Sequence, residues 1–206
     1  MKYTKESLDI TKKISENINN QTFHHHYHIL LDIANTYNKN YEVVYVEIGC
    51  YAGGSACLLL QRPNTKVISI DLGYPIPFEI VNKNISNHNV HNNFYNYIRG
   101  NSQQKETVDT LKNLIDHIDI LFIDGDHSYN GVINDFLLYE ELVLSKGYII
   151  FDDYNDQKYS PEVKIAVNEI VKSYSNKYKI IGTLPNIYNA RPDTLLDGND
   201  FIIQKI

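Results

Sequence analysis

The stretch VEIGCYAGGSACLLL, residues 46–60, reads as a buried strand, a glycine turn and the start of a helix. Val43, Val44, Val46 and Ile48 form a β-branched run, which suits a parallel strand covered on both faces. Gly49 lets the chain turn at the strand's carboxyl end, and Gly53 and Gly54 keep side chains away from whatever lies over the turn. Ser55 is placed to cap the helix. The helix start then offers unpaired N–H groups to a carboxylate or phosphate. A second strand, VISIDLG at 67–73, carries Asp71 at its end, the usual place for an acid that grips ribose hydroxyls. Turn and acid together describe a pocket for a nucleoside-containing cofactor.

The glycine spacing narrows the cofactor. A dinucleotide fingerprint needs G-x-G-x-x-G, whose second glycine lets backbone approach a pyrophosphate. Here the glycines fall at 49, 53 and 54, and Tyr51 occupies the position that must be empty. A phosphate-binding P-loop is excluded as well, because no Gly-Lys-Ser/Thr follows. What remains is E-x-G-x-x-x-G-G-S, from Glu47 to Ser55. It resembles motif I of the class I S-adenosylmethionine-dependent methyltransferases. That resemblance implies cofactor contacts at Glu47, Gly49, Tyr51, Gly53, Gly54, Ser55 and Asp71. An ordinary βα turn with incidental glycines would look alike; Asp71 tips the reading toward the cofactor.

Outward from this turn, the chain alternates strands and helices. Amphipathic helices are expected over 4–18 and 22–38, marked by Leu8, Ile10, Ile14 and Ile18, then by Phe23, Tyr27, Leu30, Leu31 and Ala34. Strands are expected at 43–48, 66–71, 94–98, 119–123 and 148–151. Helices fall between them at 54–62, 77–86, 103–116 and 129–144, the last closed by Gly147 as a C′ residue. A helix over 161–175 follows Ser160-Pro161, read as a cap with proline at the first helical position. Strands at 178–182 and 200–205 finish the chain, with Pro185, Pro192 and Gly198 between them. The expectation is a doubly wound, Rossmann-like α/β sheet of seven strands in order 3-2-1-4-5-7-6, with the last strand antiparallel. Residues 1–40 form an N-terminal helical extension and residues 41–206 the methyltransferase-like domain.

Composition sets further bounds. A chain of 206 residues with 43% apolar content can bury a core, and 17 Tyr supply aromatic bulk where Trp is absent. Net charge is −6 with no basic stripe, which argues against nucleic acid as a partner. Cys50 and Cys57 lie on the turn and its helix, as packing residues of a reducing compartment. No stretch has the length of a membrane span and the N-terminus is polar, so a cytoplasmic protein away from membranes is expected. Lys outnumbers Arg 16 to 3, a bias that follows A/T-rich codons. The N-terminal helices offer a surface for self-association into a homo-oligomer.

The segment DILFIDGDHSYNGVINDFLLYEELVLSKGYIIFDD, residues 119–153, carries most of the remaining chemistry. It resembles a methyltransferase family that includes macrolide-sugar O-methyltransferases and cephalosporin-hydroxylase-like proteins. The resemblance implies a divalent metal, Mg²⁺ or another, held by Asp124, Asp152 and Asp153, with His127 of D-G-x-H as a base. Asp126 stands where that family often has Ser, adding a negative charge near the metal. Independently of the family, strands four and five are neighbours about 4.8 Å apart in this sheet order. Asp124 and Asp152 then lie close together past their carboxyl ends. Two unpaired carboxylates repel, and one takes up a proton unless a cation intervenes. Asp152 and Asp153 point oppositely within a strand, so both reach one ion only if the strand has ended.

Blander roles remain open for several of these residues. Asp126 or Ser128 serves equally as a helix cap. Asp124 suits the cofactor's amino group, and His127 a substrate-orienting role. Ser102, after Gly100 at the third strand end, belongs beside an adenine or on a helix cap. The run His24-His25-His26 with His28 splits over different helix faces, so an exposed or substrate-facing surface is expected rather than a metal site. The function expected is O-methylation of a small-molecule acceptor, a sugar hydroxyl by resemblance, with S-adenosylmethionine as donor. An iron-dependent hydroxylase on the same fold and a noncatalytic cofactor-binding module are the alternatives.

Overall fold

The computed structural model describes residues 4–18, 27–185 and 197–206. The elements run α1 (Lys5–Ser15), α2 (His28–Ala34), β1 (Val43–Ile48), α3 (Gly54–Leu59), β2 (Thr65–Asp71), α4 (Phe78–His88), β3 (Phe94–Arg99) and α5 (Lys105–Lys112). They continue with β4 (Ile118–Ile123), α6 (Tyr129–Tyr139), β5 (Val143–Phe151), α7 (Val163–Ser173), β6 (Tyr178–Pro185) and β7 (Asp197–Lys205). One seven-stranded sheet has the order β3-β2-β1-β4-β5-β7-β6. The β1–β2, β2–β3, β1–β4 and β4–β5 pairs are parallel, while β7 is antiparallel to both β5 and β6. This is the expected topology. The strand order reverses between β1 and β4, which opens a crevice at their carboxyl ends.

Strand alternation divides the apolar side chains between two cores. Val43 and Tyr45 join α1 to α4 on one face, with Val67, Phe122 and Ile150. Val44, Val46 and Ile48 join α5, α6 and α7 on the other, with Ile68, Leu121 and Phe151. A sheet buried on both faces explains why every residue of β1 and β4 is buried and why both strands are apolar apart from Glu47 and Asp119. Both cysteines are free and buried. Among the described residues no helix is long and apolar enough to cross a membrane.

The N-terminal helices share the first core, through Ile14, Ile18, Leu30, Leu31 and Ile33. Asp32 of α2 ties α1 down. Its carboxylate accepts from the Thr4 amide, the Thr4 hydroxyl (2.9 Å) and the Ser7 hydroxyl (2.6 Å). Thr4 also caps α1 by accepting from the Ser7 amide. His24, His25 and His26 lie outside the described residues. His28 is buried at the head of α2, which corrects its expected place on an exposed or substrate-facing surface.

Two boundaries differ for physical reasons. The helix expected to reach 144 ends at Tyr139, a 3-10 turn spans Glu140–Leu142, and β5 begins at Val143. Gly147 therefore sits inside the strand. A Cβ there would meet Val143 at 2.8 Å and the Asp119 carbonyl at 3.0 Å, and Lys146 beside it has φ 69°. The β4–β5 register shifts at this point, so the glycine permits close approach at a bulge instead of ending a helix. The second boundary is α7, which starts at Val163 after an N-cap at Glu162. Pro161 precedes the cap, and the Ser160 hydroxyl is turned elsewhere.

Replacing Asp32 with Ala leaves the buried Ser7 hydroxyl and the Thr4 donors without their carboxylate. Stability should fall by about 1–3 kcal/mol, and amide exchange across α1 should accelerate. Urea denaturation and hydrogen exchange measure both; a loss under about 0.5 kcal/mol would mean that apolar packing alone holds α1.

Candidate active site

Backbone hydrogen bonds continue across the strand ends and fix the site's floor. The Gly49 amide donates to the Ile70 carbonyl, the Asp124 amide to Ile48, the Asp152 amide to Ile123 and the Gly100 amide to Asp71, all at 2.8–3.0 Å. Asp71, Gly49, Asp124 and Asp152 thus stand along one edge of the sheet, facing a cavity of about 650 Å³. Gly49 has φ +82°, and a Cβ there would lie 2.0 Å from the Asp124 carbonyl oxygen. Only glycine lets these two turns touch.

On the cofactor side, Asp71 has structural work of its own. One carboxylate oxygen accepts from the Cys50 amide (2.9 Å) and the Tyr51 amide (3.2 Å), and the other from the Gly73 amide (2.7 Å). It staples the β1 turn to the β2 turn while lining the cavity with Gly49, Tyr51 and Ser55. Glu47, Gly53 and Gly54 do not line it. Gly53 has left-handed φ and faces Val81 of α4. Glu47 is fully buried and accepts from the hydroxyls of Ser55 (2.5 Å), Ser69 (2.6 Å) and Tyr45 (2.9 Å). Burial pushes its carboxyl up to about 7, against the lowering effect of those donors. Ser55 therefore anchors the turn to Glu47 and does not cap α3, whose N-cap is Gly53 with no side-chain bond.

Ser102 lines the same cavity, but it caps no helix; Gln104 precedes α5. Its hydroxyl donates to Asp135 (2.7 Å), and its carbonyl accepts from the Tyr139 hydroxyl (2.7 Å). Burial raises the Asp135 carboxyl to about 6.

The other side of the cavity gathers acids around an imidazole. Asp124 accepts from the Tyr27 hydroxyl on one oxygen (3.0 Å), and its other oxygen is 3.2 Å from His127 Nε2. His127 Nδ1 is 2.8 Å from the Ser160 hydroxyl and 3.4 Å from Asp153. Ser160 in turn donates to Asp153 (2.9 Å). Burial alone would lower the His127 pKa; the bond to Asp124 and the charges of Asp124, Asp153 and Asp126 outweigh it and raise it. Asp152 is fully buried, and burial, Asp124 and Asp153 push its carboxyl well up. Strand β5 ends at Phe151, and Asp153 takes a left-handed φ of 56°. That bend lets both acids face the cavity, which continuous strand geometry forbids. Asp126 turns back to accept from the Ser128 amide, which holds it below the usual carboxylate range. Ser128 caps α6 by accepting from the Gly131 amide. Among the described residues, no group of three or more His, Cys, Asp or Glu side chains is arranged to hold a metal ion.

Tyr27, Asp135 and Ser160 escape a sequence reading. Tyr27 sits in an apolar helical pattern, Asp135 inside α6, and Ser160-Pro161 imitates a helix start.

Comparison with known proteins now has a geometry to rest on. A protein-family model described as a methyltransferase domain matches residues 46–154, the span from the cofactor turn to the paired acids. The chain belongs to this family of class I, S-adenosylmethionine-dependent methyltransferases. An uncharacterized protein, R132 of Acanthamoeba polyphaga mimivirus, is 44% identical over 183 residues, 85% of this chain and 82% of that protein. The O-methyltransferase TomG of Streptomyces achromogenes, solved with S-adenosylmethionine, superposes with a TM-score of 0.64 at 14% identity, covering 98% of this chain and 90% of its own. CalS11, a TDP-rhamnose 3′-O-methyltransferase, gives 0.58 at 11% identity over 99% and 96%. At these identities the two structures establish the shared fold.

The buried Glu47 makes the methyltransferase's stability depend on pH. Its folded pKa lies above its unfolded one, so the native state binds the extra proton. Stability then falls as pH rises from about 4.5 to about 7. At about 1.4 kcal/mol per pKa unit, this amounts to something on the order of 3 kcal/mol. Glu47→Gln should flatten that part of the profile, as read by urea denaturation at pH 5, 6, 7 and 8. An unchanged slope would mean that Glu47 ionises freely.

Proposed function

We propose that this methyltransferase transfers the methyl group of S-adenosylmethionine to a hydroxyl of a small molecule, with a sugar or sugar conjugate as the acceptor. The observation that carries the reading is His127, held between Asp124 and Asp153 in the cavity that the Gly49–Ser55 turn also lines. A hydroxyl is a poor nucleophile until it loses its proton, and an imidazole at the methyl-transfer position supplies the base. The acceptor's O–H proton passes to His127 and its oxygen forms the new C–O bond. The C–S bond breaks with its electron pair going to sulfur, so the sulfonium becomes the thioether of S-adenosylhomocysteine. The imidazolium formed is held by Asp124 and Asp153. Alignment of oxygen, methyl and sulfur by the cavity walls supplies the rest of the acceleration.

The oxygen donors at this wall are of the kind a divalent cation takes, although the side chains as they stand are not gathered around one point. Asp124, Asp152 and Asp153 bring three carboxylates to one wall, and the pKa of Asp152 is raised first by burial and then by the charges of Asp124 and Asp153. These three residues would hold Mg²⁺ or a similar ion. When bound, such an ion lowers the pKa of an acceptor hydroxyl. The sugar acceptor is supported by the sequence resemblance and by the TDP-rhamnose specificity in the name of CalS11. A mouth lined with carboxylates also offers a polyol several hydrogen-bond acceptors.

Calorimetry should show binding of S-adenosylhomocysteine and none of NAD. In an acceptor screen with free sugars, nucleotide sugars and catechols, EDTA should abolish turnover and Mg²⁺ or Mn²⁺ restore it. His127→Gln should lower kcat by about 10²–10⁴ while keeping S-adenosylhomocysteine affinity. Full turnover in EDTA would remove the metal from this reading, and methylation confined to amines would remove the hydroxyl acceptor.

A further inference from the structure

Glu47 is 0% exposed, one residue before the end of β1. Its carboxylate accepts hydrogens from the hydroxyls of Tyr45, Ser55 and Ser69. The groups that bear on its charge are those hydroxyls and Asp124, and it acts in turn on the Cys50 and Cys57 thiols and the Tyr95 phenol. None of these is a cation. A carboxyl buried without a cation resists ionisation, and burial brings Glu47 up to about 7 against the lowering effect of its three donors. Yet Glu47 is not remote from a ligand. Ser55, 2.5 Å away, lines the cavity beside Gly49, Cys50 and Tyr51. A charge placed in the cavity against Ser55 is therefore separated from Glu47 by a single side chain.

We propose that Glu47 senses the charge of the cofactor: it releases its proton to solvent when S-adenosylmethionine binds and regains one when S-adenosylhomocysteine takes its place, so the pocket favours the methyl donor over the spent product. The two molecules differ by one methyl group and one positive charge. Both carry the same ammonium and carboxylate, which cancel in the comparison. The donor's sulfonium supplies the cation that the surroundings of Glu47 lack, whereas the product's thioether is neutral. A nearby cation favours the ionised form of a carboxyl. Across about 7 Å at an effective dielectric of about 20, one unit charge shifts a carboxyl by about one to two pKa units. At low pH Glu47 is neutral in both complexes and does not distinguish them. At high pH it is ionised in both and attracts only the sulfonium, so the donor's advantage grows as pH rises through the two midpoints. The sensor works without the acceptor, the metal or His127.

The test follows the carboxyl itself. Protein carrying glutamate labelled with ¹³C at the carboxyl carbon is titrated by NMR, saturated first with S-adenosylmethionine and separately with S-adenosylhomocysteine. EDTA is present throughout, so no divalent ion contributes. The Glu47 signal is assigned by its loss in Glu47→Gln. Its midpoint should lie about one pH unit or more lower in the donor complex. Calorimetry then measures both affinities at pH 5.5, 7 and 8.5. The ratio in favour of the donor should rise about ten-fold over this range in the wild type and stay flat in Glu47→Gln. A merely structural Glu47 would weaken both ligands alike on substitution and leave the pH dependence of the ratio unchanged. Equal midpoints in the two complexes overturn the proposal, as does a rise in the ratio that persists in Glu47→Gln. If Glu47→Gln does not fold, Ser69→Ala, which removes one donor and moves the Glu47 signal, makes the assignment, and the two wild-type midpoints decide.

Discussion

Asp124, Asp152 and Asp153 follow the ends of two neighbouring strands on one cavity wall, and satisfying these acids ties together parts of the chain that lie far apart in sequence. Two like charges about 4 Å apart cost on the order of 4 kcal/mol at a dielectric typical of a protein surface. Each acid is met by a different device. Asp124 takes hydrogens from Tyr27 and His127, Asp153 takes one from Ser160, and Asp152 is driven toward its protonated form. These devices come from separate parts of the chain: the N-terminal helices, the turn after β4 and the loop before α7. The charge cluster is therefore also a tie between elements that share no sequence neighbourhood. Tyr27, His127 and Ser160 are thereby joined to one another through Asp124 and Asp153.

The cofactor side is organised by backbone proximity. The approach of the β1 turn to the Asp124 carbonyl leaves no room for a Cβ at Gly49, so the two strand ends meet where the sheet order reverses. Asp71 then spends three hydrogen bonds on the turn amides, and Glu47 gathers three hydroxyls beneath them. A buried carboxylate is tolerable when several donors satisfy it, and here the donors also lock Ser55 at the cavity's edge. The turn is thus preorganised before any ligand arrives, which reduces the ordering cost of binding.

Placing Tyr27 in the cavity gives the N-terminal segment a part in the site as well as in the core. Helix α2 is buried along its whole length, and α1 is held to it through Asp32. Tyr27 leads into α2 at its amino end, and packs edge-to-face on Phe122 of β4 at 5.5 Å. Core packing of α2 therefore sets where the phenol meets Asp124.

The sheet topology, the glycine turn and the acids at the strand ends were legible in the residues alone. Their signals are local: β-branched runs at 43–48 and 119–123, glycines where side chains cannot fit, and acids directly after apolar strands. Periodicity and turn chemistry act over a few residues, so a linear reading captures them. Partnership was decided by the tertiary structure. Glu47 and Ser55 looked like ligand contacts and are bonded to each other; Asp71 looked free for a ribose and also staples two turns. Gly147 looked like a helix end, yet packs against Asp119 inside a strand. Ser160 looked like a cap, and its hydroxyl lies between His127 and Asp153. A polar side chain takes whichever partner the fold brings within about 3 Å, and contacts 33 residues apart, such as Ser160 with His127, leave no periodic trace in the sequence.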